Sequence, residues 1–201
     1  MDAPDIAWKL ALVIRGAGLQ TLLDAYAIER HLADQHVLEV SDMLHRRALT
    51  LAQNRVGAAA PPSDPAQVVA LARARAMLDV SYVGSPLVGE HAGLEAAPPI
   101  PISGPVPGTR FRDRIRLTGT SHHLLLFGAN SLPDFFRRRW HHLVAIENGA
   151  VLDAARYGML RGGALLVRPD GFIGYRLAQA DDASITALDA HLASYLAPDR
   201  T

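Results

Sequence analysis

The chain has 201 residues, is 49% hydrophobic, and sets twenty basic residues against twenty acidic ones for a formal net charge of zero. That is enough apolar material to build one large core or two small ones, and the balanced charge excludes the basic excess of a duplex-binding or membrane-surface protein. The absence of cysteine excludes disulfides, thiolate metal sites, iron–sulfur clusters and thiol catalysis.

In chain order, Ile6, Leu10, Val13 and Ile14 recur at helical spacing, which predicts a helix over 5–15 that stops at Gly16 and Gly18. A second helical pattern runs from about Leu19 to Val56, long enough to bend, with Leu22, Leu23, Tyr26, Leu32, Val37, Val40, Leu44 and Leu51 on a drifting apolar stripe. The prolines at 61, 62 and 65 end it, and a third helix is expected from Pro65, capped by Asp64, to about Leu78. Residues 84–108 are rich in proline and glycine and suit an extended connection, so a helical segment over 1–83 and a second domain over 109–201 are expected. In that second domain the pattern predicts strands at 124–127 and 143–146 around a helix at 132–142, and a short helix at 150–157. A hairpin over 165–177, turning at Pro169-Asp170-Gly171, and a final helix at 183–196 complete it. The order β-α-β-α-β-β-α is a thioredoxin-like layout, and the fold class is α/β.

Two groups of residues carry a family resemblance. One is Asp2-Ala3-Pro4-Asp5-Ile6-Ala7-Trp8-Lys9-Leu10 with Leu22-Leu23-Asp24-Ala25-Tyr26 and Glu29-Arg30; the other is Ser81-Tyr82, Ser85-Pro86-Leu87 and Leu166-Val167-Arg168-Pro169-Asp170-Gly171-Phe172. Together they resemble the region after the flavin site in FAD-dependent aromatic and polyketide hydroxylases of the phenol hydroxylase group, including its C-terminal thioredoxin-like domain. Pro4 and Asp5 stand where that family normally has a small or polar residue and Asn, and Leu32 where it normally has Pro. The resemblance implies FAD, NAD(P)H and oxygen chemistry for the parent family. The glycine-rich strand-turn-helix and the Gly-Asp segment that hold its flavin have no counterpart in these residues.

Other candidates have bland readings beside sharp ones. Gly16-Ala17-Gly18 follows a helix and is read as its C-cap rather than a phosphate loop. The junction Gly128-Ala129-Asn130-Ser131-Leu132-Pro133 stands where a thioredoxin would carry its Cys-x-x-Cys, so disulfide exchange is impossible, and Arg161-Gly162-Gly163-Ala164 replaces the proline that would face it. His122-His123 and His141-His142, with Asp134, could hold a metal only if the fold brought one imidazole from each pair together. Arg110, Arg112, Arg114 and Arg116 would line one face of an extended strand, gripping an anion or guarding a solvated edge. Arg137-Arg138-Arg139 before Trp140 suits a helix C-terminus better than a nucleic-acid surface.

No catalytic, cofactor-binding or metal-ligating residue is assigned from these patterns. The expected role is a non-catalytic structural or oligomerisation module that binds no cofactor as an isolated chain. The expected partner is a second copy or a flavin-binding polypeptide. The alternatives are a fragment or complementing half of an FAD-dependent hydroxylase, and a small-ligand binding protein using a cleft of the fold. No apolar run reaches the ~18 residues of a membrane span and residues 1–5 do not read as a signal peptide, so a cytoplasmic location with neither nucleic acid nor membrane as partner is expected.

Overall fold

The structure is a computed structural model that describes residues 2–54, 65–91, 104–113, 115–117, 119–128, 132–149, 152–159 and 162–198. Helices α1 (Asp2–Ile14), α2 (Gln20–Asn54) and α3 (Pro65–Arg75) come first. Strand β1 (Gly89–His91) follows, then β2 (His122–Phe127), α4 (Asp134–Trp140), β3 (Val144–Asn148), β4 (Gly163–Val167), β5 (Ile173–Leu177) and α5 (Asp182–Ala193). The protein is therefore α/β, with an N-terminal helical segment followed by a thioredoxin-like domain. Among the described residues no helix is long and apolar enough to cross a membrane.

The five strands lie in the order β1-β5-β4-β2-β3. β2 and β3 are parallel and joined through α4, whereas β4 and β5 form the antiparallel hairpin that the Asp-Gly turn predicts. Successive side chains of β2 and β4 point to opposite faces, and both faces are buried. One face carries Leu124, Leu126, Ala164 and Leu166 into a core closed by Trp8 and Leu12 of α1, Leu22 and Ala25 of α2, Phe136 and Trp140 of α4, and Ile185, Leu188 and Leu192 of α5. The other carries Leu125, Phe127, Leu165 and Val167 against Phe111, Tyr157 and Met159. The first two helices thus share the sheet's own core.

Three local features depart from the sequence reading. Inside the stretch expected as a connection, Gly89–His91 is a strand paired with β5 in parallel, fixed by the ion pair between Glu90 and the buried Arg176. Residues 152–157, expected as the end of a short helix, are turns, because Asp153 folds its carboxylate back onto the amides of Ala155 and Arg156 and so favours a local turn over a helix start. Residues 150 and 151, the expected start of that helix, lie outside the described residues. The arginine-rich stretch forms no strand over its described residues, only an isolated bridge from Arg110 to Phe172. Asp64 and Val56 also lie outside the described residues.

A bulge between β4 and β5 shifts the register so that Leu166 faces Tyr175 while Val167 faces Ile173. Gly174 sits at this irregularity, where a Cβ would come within 2.9 Å of the Arg168 side chain. The glycine is what lets Arg168 run inward past the strand. At the other end of β4, Gly163 has φ of 122°, and a Cβ there would lie 2.5 Å from the Leu177 carbonyl oxygen and 2.6 Å from Met159 Sδ. Gly163→Ala is therefore expected to cost roughly 2–3 kcal/mol, read as a lowered midpoint in urea unfolding followed by circular dichroism.

Candidate functional site

Trp8 and Leu12 bury one face of α1, and at the same helical spacing Asp5 and Lys9 are carried inward with them. The face of α2 that buries Leu22 and Ala25 also buries Glu29. At the hairpin turn, Gly171 adopts φ of 83° and donates to the Arg168 carbonyl at 2.9 Å, while Asp170 accepts from the Phe172 amide at 3.2 Å. That geometry aims the Arg168 and Asp170 side chains at α1 and α2.

These charges meet in one buried network. Lys9 Nζ pairs with Asp5 and, at 2.5 Å, with Glu29 Oε2. The Arg168 guanidinium grips Glu29 through both of its terminal nitrogens and Asp170 through Nε at 3.2 Å and a terminal nitrogen at 2.5 Å. Ser85 donates to Glu29 Oε1 at 2.5 Å, and Trp8 Nε1 donates to Asp170 Oδ2 at 3.1 Å. The Arg168 guanidinium also lies 5.5 Å from the Trp8 ring and 5.4 Å from the Tyr82 ring, so aromatic faces cover it where carboxylates do not. Lys9, Glu29 and Arg168 have no exposed side-chain surface.

Three carboxyl groups face two cations, and the imbalance falls on Asp5. Burial would raise Glu29 and Asp170, but the charge and hydrogen bonds of Arg168 prevail and hold both below the usual carboxylate range. At Asp5 burial wins over Lys9, and its pKa rises from 3.8 to about 6. The nearby His122, fully buried with its ring 5.3 Å from Trp8, is pushed down to about 3 by burial and then by Arg168, so it stays neutral. Oxygens of Asp5, Glu29 and Asp170 lie within 4.8 Å of one another, the one such metal-sized cluster among the described residues. Lys9 and Arg168 already supply the positive charge there. The network's chemistry is cohesion: each charged group is bonded to another, and helix is fastened to hairpin.

The other sequence candidates are scattered. At Gly16-Ala17-Gly18 the amides turn back onto α1, Gly16 donating to the Val13 carbonyl at 3.0 Å and Ala17 and Gly18 to that of Leu12 at 2.9 and 3.0 Å. This is a helix C-cap, and those amides are unavailable to a pyrophosphate. His122 faces the helix-covered core, whereas His123 faces the opposite side and bonds Glu147. His141 and His142 are exposed, with ring centroids 3.5 Å apart and planes inclined at 45°, and among the described residues the imidazoles do not gather into a metal site. The Arg110 guanidinium lies over the Phe172 ring at 4.6 Å, Arg112 reaches Asp79 at 3.6 Å, and Arg116 is exposed. Arg114 is outside the described residues, as are 129–131 of the Cys-free junction and Arg161. Arg139 and Trp140 both bond Asp189 and so tie α4 to α5. What sequence patterns alone missed is the network itself. Its signal was the chain's sole lysine, Lys9, placed between Trp8 and Leu12 on an apolar helix face.

A family model described as FAD binding domain matches residues 1–41. The chain is 31% identical over 179 residues to a flavin-dependent monooxygenase of Mycobacteroides abscessus, covering 86% of this chain and 31% of that protein. It is 31% identical over 237 residues to the 6-methylpretetramide 4-monooxygenase of Streptomyces rimosus, covering 100% of this chain and 41% of that one. Among solved structures, the anhydrotetracycline hydroxylase OxyS from Streptomyces rimosus superposes with a TM-score of 0.62 at 23% identity, covering 98% of this chain and 40% of that one. Aklavinone-11 hydroxylase, solved with FAD and aklavinone, gives 0.60 at 24% identity, covering 95% and 38%. The chain thus spans well under half the length of the relatives it matches. FAD is the cofactor of the family it resembles, and no dinucleotide cradle is formed by the described residues.

Two measurements follow from the network. Arg168→Met leaves Glu29 and Asp170 buried without their main counter-charge, and is expected to cost roughly 3–5 kcal/mol in chemical denaturation. Because Asp5 is protonated more readily folded than unfolded, its ionisation opposes folding, and its contribution to stability falls as pH rises from 3.8 to about 6. Glu29 and Asp170 act with the opposite sign, losing their contribution as pH falls through the ordinary carboxylate range. Asp5→Asn is therefore expected to remove the decline over that window and to raise stability at neutral pH by on the order of 1–3 kcal/mol; an unchanged pH profile of unfolding would contradict this assignment.

Proposed function

Since the chain resembles the C-terminal region of FAD-dependent aromatic and polyketide hydroxylases along its whole length, we propose that it is a structural module of that kind of monooxygenase, non-catalytic by itself. The observation that carries this reading is the closed network of Asp5, Lys9, Glu29, Ser85, Arg168 and Asp170. It uses buried charged groups to join α1 and α2 to the β4–β5 hairpin. A reactive site needs a perturbed group with access to a substrate, and these side chains are turned toward one another and away from solvent. The module's work is then to hold two helices on the α/β domain and to offer the outer part of α2, with α3, to another polypeptide surface.

A second reading is favoured by the match of residues 1–41 to an FAD-binding domain. In it the same module complements a flavin-binding polypeptide, which supplies FAD, the reductant site and the aromatic or polyketide substrate pocket. The two readings agree on the isolated chain and differ on what it meets. Flavin titration separates both from an autonomous enzyme: after addition of FAD and desalting, the isolated chain is expected to show no absorbance near 450 nm and no NAD(P)H oxidation. Retained flavin would refute the structural reading. Restoration of hydroxylation on mixing with a flavin-binding polypeptide that lacks this region would select the second.

A further inference from the structure

The face of α2 that buries Leu22, Ala25, Glu29 and Ala33 continues past the edge of the domain as His36, Val40, Met43, Leu44 and Arg47. Among the described residues no strand packs substantially against it there. Instead it forms one wall of a groove of about 490 Å³ whose other wall is Ala70, Leu71 and Ala74 of α3. In the groove Met43 is 46% exposed, and elsewhere on the two helices Leu38 and Val69 are 70% and 59% exposed.

Charge tells what covers this groove. Other acid–base neighbours on α2 are paired locally, Asp34 with Arg30 and Asp42 with Arg46, each one turn apart. Glu39 and Arg47 line the groove and have no hydrogen-bond or ion-pair partner among the described residues. They stand eight residues apart, about 12 Å along a helix, too far to meet each other. Each is four residues, about 6 Å, from Met43, one on either side. A two-fold axis through Met43 that lays a second α2 antiparallel in the groove therefore sets Glu39 of each copy opposite Arg47 of the other.

The same axis accounts for His36. Its Nε2 is buried without a hydrogen-bond partner among the described residues. His36 and Thr50 lie seven residues to either side of Met43, so each imidazole would face a hydroxyl whose own hydrogen is already given to the Arg46 carbonyl and whose oxygen can accept. A parallel pairing would instead set Glu39 against Glu39 and leave His36 unmatched.

From this symmetry we propose that the α2–α3 groove is an isologous interface in which two copies of the chain pair through antiparallel α2 helices centred on Met43. The proposal names the partner that the structural reading above leaves open, and rests on that reading; the two fail separately, because flavin uptake by the isolated chain would refute the reading and leave the oligomer untouched. The test is sedimentation equilibrium on the full chain with charge-swapped variants, circular dichroism confirming that each is folded. The wild type is expected to be dimeric at about 100 µM, Glu39→Arg and Arg47→Glu each to weaken the dimer about tenfold by facing like charges, and the double variant to recover most of that loss. A monomeric wild type, a dimer indifferent to Glu39→Arg, or a double variant that fails to recover would each overturn the proposal.

Discussion

The pairing of Glu29 with Arg168 is the constraint on which the rest of the molecule depends. Both side chains are withdrawn from water, and a buried guanidinium or carboxylate is tolerated only when its partner is in place and its remaining donors and acceptors are used. Glu29 therefore fixes the axial position and rotation of α2 over the hairpin, and Lys9 transmits that choice to α1. Apolar packing of Trp8, Leu12, Leu22 and Ala25 would allow the helices to slide over the sheet by small steps. The charged network does not, because a misplacement of one ångström leaves a buried ion unmatched.

The hairpin is built to serve this requirement. A regular β4–β5 ladder would point alternate residues of β5 to one face throughout, yet Ile173 and Tyr175 go to opposite cores because of the bulge. The irregularity removes side-chain bulk at Gly174, where Arg168 passes, and the tight turn holds Asp170 beside the guanidinium. A weakened stretch of ladder is thus exchanged for a charge in the one position that reaches both helices. The excess carboxylate is left at Asp5, on the rim of the network, where protonation neutralises it at the smallest cost to the Arg168 contacts.

Much of the fold was legible because it is written in short-range pattern. The α1 and α2 stripes, the break at Gly16, the start of α3 at Pro65, the Asp-Gly hairpin and the α4 and α5 segments follow from residues within a turn or two of one another. Strand β1 was not legible, since three residues, Gly-Glu-His, carry no alternation and exist as a strand only because β5 lies beside them. The turns at 152–157 were misread because Ala and Leu content favours helix until the Asp153 carboxylate claims the next amides. The network was invisible to periodicity for a simpler reason: Glu29 and Arg168 are 139 positions apart in the chain, and no local rule connects them. The wording shared with flavoprotein hydroxylases includes Trp8, Lys9, Glu29, Arg168 and Asp170 among many other residues, does not single them out, and is departed from at Asp5.

Helix α2 changes its role along its length. As far as Ala33 its inner face is covered by the core and by the charged network; beyond that point α3 covers part of the same face, and among the described residues no strand packs substantially against it. Helical propensity alone sustains such a length poorly in water, since helices in proteins draw most of their stability from packing. The outer part of α2 is therefore weakly supported, and His36, Glu39 and Arg47, which have no polar partner on this face among the described residues, line the groove there. A second helix laid in the groove would supply the packing and the counter-charges together. Under the proposed pairing, the local stability of α2 and the association of the chain would be linked, because the contacts that cover the helix would also stabilise it.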